Sequence, residues 1–208
     1  MKIYLTRHGQ DEDNAAGLLN GHRDKPLTNL GIEQTKNLVA ELNVNDISFD
    51  KIITSPLQRC VQTANIIKGK SSTTEIIIDD LLVERDMGVM TGTKIAEIDK
   101  NYNGPVLQTD VVKYFLEPEN GDTFPMMVVR ARQFFDELVS LEGNILLISH
   151  GSFSKALVAE YYNWDYKMAL KEFHFGNCEL IELSESGPIK VFEQEQFNYE
   201  DMQIKARD

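Results

Sequence analysis

An α/β fold, a three-layer sandwich with helices on both faces of a mostly parallel sheet, is predicted by three observations on this 208-residue chain. Short β-rich runs alternate with helical patterns along its length. Two of those runs, "KIYLT" and "NILLIS", end in the same dipeptide, His8-Gly9 and His150-Gly151. No internal repeat, low-complexity tract or Pro/Ser-rich linker divides the chain, so residues 1–208 read as one domain long enough to bury a sizeable core.

The elements follow from local chemistry. Lys2 to Thr6 is the first strand, and Thr28 opens a helix whose later apolar face carries Leu38, Val39 and Leu42. "KIITS" is the next strand. In "SPLQRCVQTANII", a serine at the N-cap and a proline in the first turn precede an apolar stripe at Leu57, Cys60, Val61, Ala64 and Ile67, as an amphipathic helix requires. "TEIIID" is a third strand. Met127, Ala131, Phe134, Leu138 and Leu141 then step by threes and fours along a long helix. "NILLIS" is a buried strand, followed by a helix from about Ser152 to Tyr162. "CELIEL", Gly187-Pro188 and "IKVFEQ" make a closing antiparallel hairpin. The weakly patterned stretch at 92–120, with possible helices around Ile95 and Val111, is expected to form a small cap.

Charge and composition narrow the function. With 21 Lys and Arg against 33 Asp and Glu, the net charge of −12 and the absence of large basic clusters exclude a nucleic-acid footprint and a polybasic membrane patch. A small anionic substrate would need a locally positive pocket. Cys60 and Cys178 fit no CxxC or Cys/His spacing and read as reduced packing residues; no metal site and no cofactor is expected. The first residues lack a signal-peptide pattern and no apolar run approaches the ~20 residues of a membrane span, so a cytoplasmic location is expected.

In open α/β sheets ligands sit beyond the carboxyl ends of strands. If "KIYLT", "NILLIS" and "KIITS" are neighbours, Arg7, His8, His150 and Arg59 converge at one sheet edge, where helix N-termini already favour an anion. A phosphate would supply the counter-charge. Each residue also has a plain reading alone: His8 or His150 as a hydrogen-bonded structural histidine, Arg59 as a solvated helix residue, Asn14 as a turn former, His22 and Arg23 as a polar loop, His174 as structural.

Taken in order, the motifs resemble those of the histidine phosphatase superfamily, with its phosphoglycerate mutase-like fold. "RHGQDEDN" carries Arg7, His8, Gly9 and Asn14; "GHRDKPLTNLGIEQT" matches at Gly21, Asp24, Pro26, Leu27, Thr28, Gly31 and Gln34; "SPLQRCVQTA", "LVERDMGVMTG", "GDTF" and "ISHGS" follow. The resemblance implies a metal-independent phosphatase in which His8 attacks phosphorus and becomes a phosphohistidine. Arg7, Arg59, His150, Asn14 and Gly151 would hold the phosphoryl group, and Glu84 would act as acid and then base. His22, Arg23 and Arg85 are possible substrate contacts. The expected partner is a small phosphorylated substrate.

Departures from the pattern fall around the pocket: Gln10-Asp11, Asp86-Met87, Met90-Thr91 and Asp122-Thr123. Specificity is expected to lie near 22–23, 85–90, 92–120 and 152–155. Phosphoglycerate mutase is the alternative within enzymes, disfavoured by the short segment before "GDTF" and by "ERDMG"; a non-catalytic binding or regulatory protein on the same fold is the alternative outside them. No GxGxxG, GxxxxGK[ST] or complete nucleophile elbow occurs.

Overall fold

The structure, a computed structural model, describes residues 2–110, 112–138 and 140–194. Its elements run β1 (Lys2–Arg7), α1 (Glu12–Ala15), α2 (Asn29–Val44), β2 (Lys51–Thr54), α3 (Gln58–Lys68), β3 (Glu75–Ile78), α4 (Ile98–Asn101), β4 (Val106–Gln108) and β5 (Lys113–Phe115). They continue through α5 (Phe124–Leu138), β6 (Asn144–Ser149), α6 (Gly151–Tyr161), α7 (Tyr166–Glu172), β7 (Leu180–Ser184) and β8 (Gly187–Phe192).

Six strands form one sheet in the order β3-β2-β6-β1-β7-β8. The first four are mutually parallel, while β7 and β8 add an antiparallel hairpin at one edge. The strands predicted to be neighbours are therefore neighbours: β6 lies between β2 and β1, with Leu147 in register with Leu5 and Ile53.

Period-two alternation along these strands builds the layers. Leu5, Ile53, Ile145, Leu147 and Ile181 face one way and pack against Met127, Ala131 and Phe134 of α5 and Phe153, Ala156 and Leu157 of α6. Tyr4, Ile52, Leu146, Ile148 and Leu180 face the other way, onto Leu38 and Leu42 of α2 and Cys60 and Ala64 of α3. Each fully buried Leu or Ile here contributes roughly 1.5–3 kcal/mol, and Leu146→Ala or Leu147→Ala would cost about 2–5 kcal/mol with the cavity included. Both cysteines are buried and free.

Glycine settles how α2 reaches the end of β1. A Cβ on Gly9 would collide with Gly31 O, and one on Gly31 would collide with Gln10 O, so the helix and the strand exit meet backbone to backbone. That contact bends the chain directly after His8 and opens the strand end.

Two local expectations are revised. Ser55 is not the N-cap of α3: the helix begins at Gln58, with Leu57 at the extended cap position, because the Ser55 hydroxyl is engaged with His150. In the cap segment, the helix near Ile95 is a 3-10 turn (Ile95–Glu97) running into α4. The helix expected around Val111 falls on a residue outside the described ones; the segments described on either side are the strands β4 and β5, paired antiparallel. The aromatic pair Tyr114-Phe115 in "KYF" suits the pleated form. α7, with Asp165 accepting from Lys167 N at its start, was not predicted.

Candidate active site

The parallel strand ends place the two histidines together. Their rings meet edge to face with centroids 5.1 Å apart. His8 N–H donates to Ser149 O at 3.1 Å, and Asn177 Nδ2 donates to His8 O at 2.7 Å, so the His8 backbone is clamped between β6 and the segment preceding β7.

The tautomers follow from the partners. His8 Nδ1 lies 2.7 Å from Gly9 O, and a carbonyl can only accept, so the proton sits on Nδ1 and Nε2 keeps the lone pair. Burial, then the charges of Arg59 and Arg7, hold the His8 pKa well below 6.5. His150 is depressed as well, again chiefly by burial and next by Arg59. Its Nδ1 accepts from Arg59 Nε at 3.2 Å, which assigns the ring proton to Nε2 and makes Ser55 Oγ, at 2.8 Å, its acceptor.

Arg59 is fully buried, which its place on an amphipathic helix would not have predicted. Its NH1 and NH2 donate to Arg23 O and Gly21 O at 2.7 and 3.0 Å, and its Nε also lies 3.3 Å from Asp11 Oδ2. Arg59 therefore ties the 21–23 loop to the second histidine. Arg7 is different: among the described residues only its NH2 is bonded, to Asn14 Oδ1 at 3.4 Å, while its buried Nε has no partner. Gly151 packs against it: a Cβ there would stand in ordinary contact, 3.5 Å from the guanidinium carbon. A buried guanidinium N–H with no protein acceptor is free to donate to an anion.

Glu84 is 5% exposed and anchored on α6: its oxygens accept from Ser152 N and Phe153 N at 3.2 and 3.0 Å and from its own neighbour Arg85 N at 2.7 Å. The helix start thus fixes the carboxyl. Gly151 N–H is the donor at that helix start not taken by Glu84. Asp86, its rival in the same loop, instead caps Gly88 N at 2.8 Å.

The possible substrate contacts serve the scaffold. His22 Nε2 donates to Glu84 O at 2.7 Å. Arg23 pairs with Asp13 through Nε and NH2 at 2.7 and 3.2 Å. Arg85 is 1% exposed and gives its donors to Asp122 O, Phe115 O and Leu116 O, with Phe115 and Phe124 on its faces. Desolvation brings its pKa down to about 10. Through these bonds it tethers the β5 end of the cap hairpin.

Four site residues escaped the sequence reading. Asn177 bridges His8 O and Asn14 Oδ1 (3.4 Å) from an irregular segment with no motif. Ser55 holds His150. Asp11, completely buried, caps Asn14 N at 2.7 Å, accepts from Asn20 Nδ2 at 2.6 Å and shares Arg59 with His150; burial pushes its carboxyl up. Arg130 reaches Val83 O and Glu84 O at 2.9 and 3.4 Å, bracing the Glu84 loop. The signal for Asp11 was available as the departure from the usual pattern after Arg-His-Gly.

The profile of the histidine phosphatase superfamily (branch 1) matches residues 3–194. The chain belongs to the histidine phosphatase superfamily. Among curated relatives, a broad-specificity phosphatase of Saccharomyces cerevisiae is 35% identical over 102 residues, 48% of this chain and 44% of that protein. A 2,3-bisphosphoglycerate-dependent phosphoglycerate mutase of Parvibaculum lavamentivorans is 27% identical over 76% of this chain and 78% of its own length. The crystal structure of a putative alpha-ribazole-5'-P phosphatase from Escherichia coli superposes with a TM-score of 0.73 at 26% identity, covering 91% of this chain and 94% of that one. This histidine phosphatase superfamily member thus has both phosphatases and mutases among its relatives. Among the described residues, no group of three or more His, Cys, Asp or Glu could hold a metal ion, and no helix is long and apolar enough to cross a membrane.

Proposed function

We propose that the protein is a phosphatase of small phosphomonoesters that works through a phosphohistidine at His8. The observation that carries this reading is the His8 Nδ1–H bond to Gly9 O, which leaves a neutral imidazole with its Nε2 lone pair next to an unpaired Arg7 Nε.

Nε2 attacks phosphorus; the P–N bond forms as the bond to the leaving oxygen breaks, and the departing alkoxide takes the Glu84 carboxyl proton. Arg7, with Gly151 N–H, supports the charge building on the phosphoryl oxygens, and Arg59 contributes the N–H groups that the 21–23 loop does not take; His150, its one N–H given to Ser55 Oγ, positions Arg59 and packs edge to face on His8. Water then attacks the phosphohistidine, giving its proton to the Glu84 carboxylate while the P–N bond breaks. Glu84 can serve both steps because α6 holds it by two backbone N–H groups in one place. To carry the proton, one oxygen gives up such a bond.

Phosphatase is favoured over mutase because the cap is small, a 3-10 turn, α4 and the two-stranded β4–β5 hairpin, which is little material to shield a phosphohistidine from water between half-reactions. The test is phosphate release from a panel of phosphomonoesters in the presence of a chelator, with acid-labile label on His8 in quenched samples. Labelled His8 without net phosphate release, and with transfer to added phosphoglycerate, would make the protein a mutase; no label and no release would remove the enzymatic reading.

A further inference from the structure

Outside the groups assigned to the reaction, a buried lysine lies next to them. Lys155 on α6 is 6% exposed, and its single hydrogen bond among the described residues runs back one turn to Gly151 O at 3.2 Å. That direction is the ordinary one for a helical side chain, toward the N-terminus, and here it brings the ammonium to the glycine that packs on Arg7. No carboxylate stands within ion-pair distance of it among the described residues, although Glu84 and Glu179 are near enough to be felt electrostatically. Its other neighbours are rings: Tyr114 of the cap strand β5 and Phe173 after α7, each 5.9 Å from Nζ. Burial and the charge of Arg7 lower its pKa to about 8. An ammonium in that setting has donor capacity left over and gains strongly from an anion.

Its place relative to Glu84 says which part of a ligand it would meet. Glu84 is bonded to Ser152 N and Phe153 N, so a leaving oxygen within reach of Glu84 lies at the first turn of α6. The group attached to that oxygen then lies between this turn and the cap, where Tyr114 and Lys155 stand. From this juxtaposition we infer that Lys155 is a specificity-determining residue that binds a second anionic group on the alcohol part of the substrate, so that the preferred substrates are small phosphomonoesters carrying a further carboxylate or phosphate. The inference rests on the proposed phosphatase reading only for the placement of the leaving oxygen.

The probes are 3-phosphoglycerate and glycerol 3-phosphate, which differ by a carboxylate in place of a hydroxymethyl group, and 1,3-propanediol bisphosphate, in which the second anion is a phosphate. Calorimetric binding to the full chain carrying His8→Ala, which cannot turn them over, is expected to be at least tenfold tighter for one of the doubly anionic probes than for glycerol 3-phosphate. Which of the two gains identifies the second group. Adding Lys155→Met should erase that ratio while leaving glycerol 3-phosphate within about twofold; adding Lys155→Arg should keep most of it. A ratio taken within one variant is insensitive to any loss of folded protein. No preference in the His8→Ala chain, or an equal loss for all probes on Lys155→Met, overturns the inference. Wild-type turnover is measured alongside: preference without phosphate release from any ester would sink the phosphatase reading and leave Lys155 standing, whereas release without preference would do the reverse.

Discussion

The imidazoles of His8 and His150 stand edge to face 5.1 Å apart, and both are held neutral by burial and by Arg59. Two such rings cannot both be charged beside two arginines, and this sets a pH dependence. Their folded pKa values lie below the ordinary 6.5, so the unfolded chain binds more protons as pH falls through that value. Stability from the pair is complete above about pH 6.5 and is lost as pH falls toward the depressed values. Each histidine can contribute a slope of up to about 1.4 kcal/mol per pH unit in that window. Asp11 and Glu179, whose carboxyls are raised by burial, act oppositely, favouring the fold at low pH. Urea unfolding from pH 7.5 to 5 should therefore show a shallower acid loss in His8→Gln than in wild type; parallel curves would contradict the neutral-ring assignment.

The nucleophile assignment predicts that His8→Ala lowers kcat for aryl phosphate hydrolysis by at least about a thousandfold, the order expected when a covalent route is removed. Phosphate-release kinetics check it. Near-normal turnover at saturating substrate would rule His8 out.

Arg7 and Arg59 should separate cleanly. Arg59→Ala strips a fully buried guanidinium from Gly21 O, Arg23 O, Asp11 and His150, and should cost about 3–5 kcal/mol of stability along with activity. Arg7→Ala removes a side chain whose buried Nε has no partner, so it should weaken vanadate or phosphate inhibition at least tenfold with less than about 1 kcal/mol lost in unfolding. Equal destabilisation by the two would mean that Arg7, too, is a structural residue.

Glu84→Gln should slow phosphoryl transfer from an alkyl phosphate far more than from an aryl phosphate with an acidic phenol, because only the poor leaving group needs the proton. With the aryl substrate the variant should give a burst of phenol and then stall as phosphorylated His8. Rapid-mix kinetics with mass detection of the modified chain read both. The same pattern in Asp86→Asn, and not in Glu84→Gln, would transfer the role to Asp86.

Arg85→Ala should loosen the cap hairpin rather than alter the phosphoryl site. Loss of three charge-assisted bonds to carbonyls and of packing between Phe115 and Phe124 should cost at least about 3 kcal/mol. Limited proteolysis should then cut between 103 and 118 sooner than in wild type, and unchanged cutting would count against the tether.

Much of this protein is determined by its sequence alone, and where that holds the reason is local. The short apolar runs in "KIYLT" and "NILLIS", the three-and-four steps from Met127 to Leu138 and the Gly187-Pro188 turn act over a few residues, so strands, helices and hairpin were legible. The Arg-His-Gly and Ser-His-Gly ends were legible too, because a polar pair directly after an apolar strand marks the sheet edge. Only the tertiary structure decided what those side chains do. Arg59 sits on a helix face that looks solvated in one dimension, yet the 21–23 loop covers it and takes two of its donors. Arg85 stands in a family motif but is drawn into the cap by carbonyls some thirty residues on. Ser55 looked like a helix cap and is claimed by His150, ninety-five positions away. Hydrogen-bond donors choose among partners by distance in space, and burial sets how strongly each choice counts; neither quantity exists until the strands have paired.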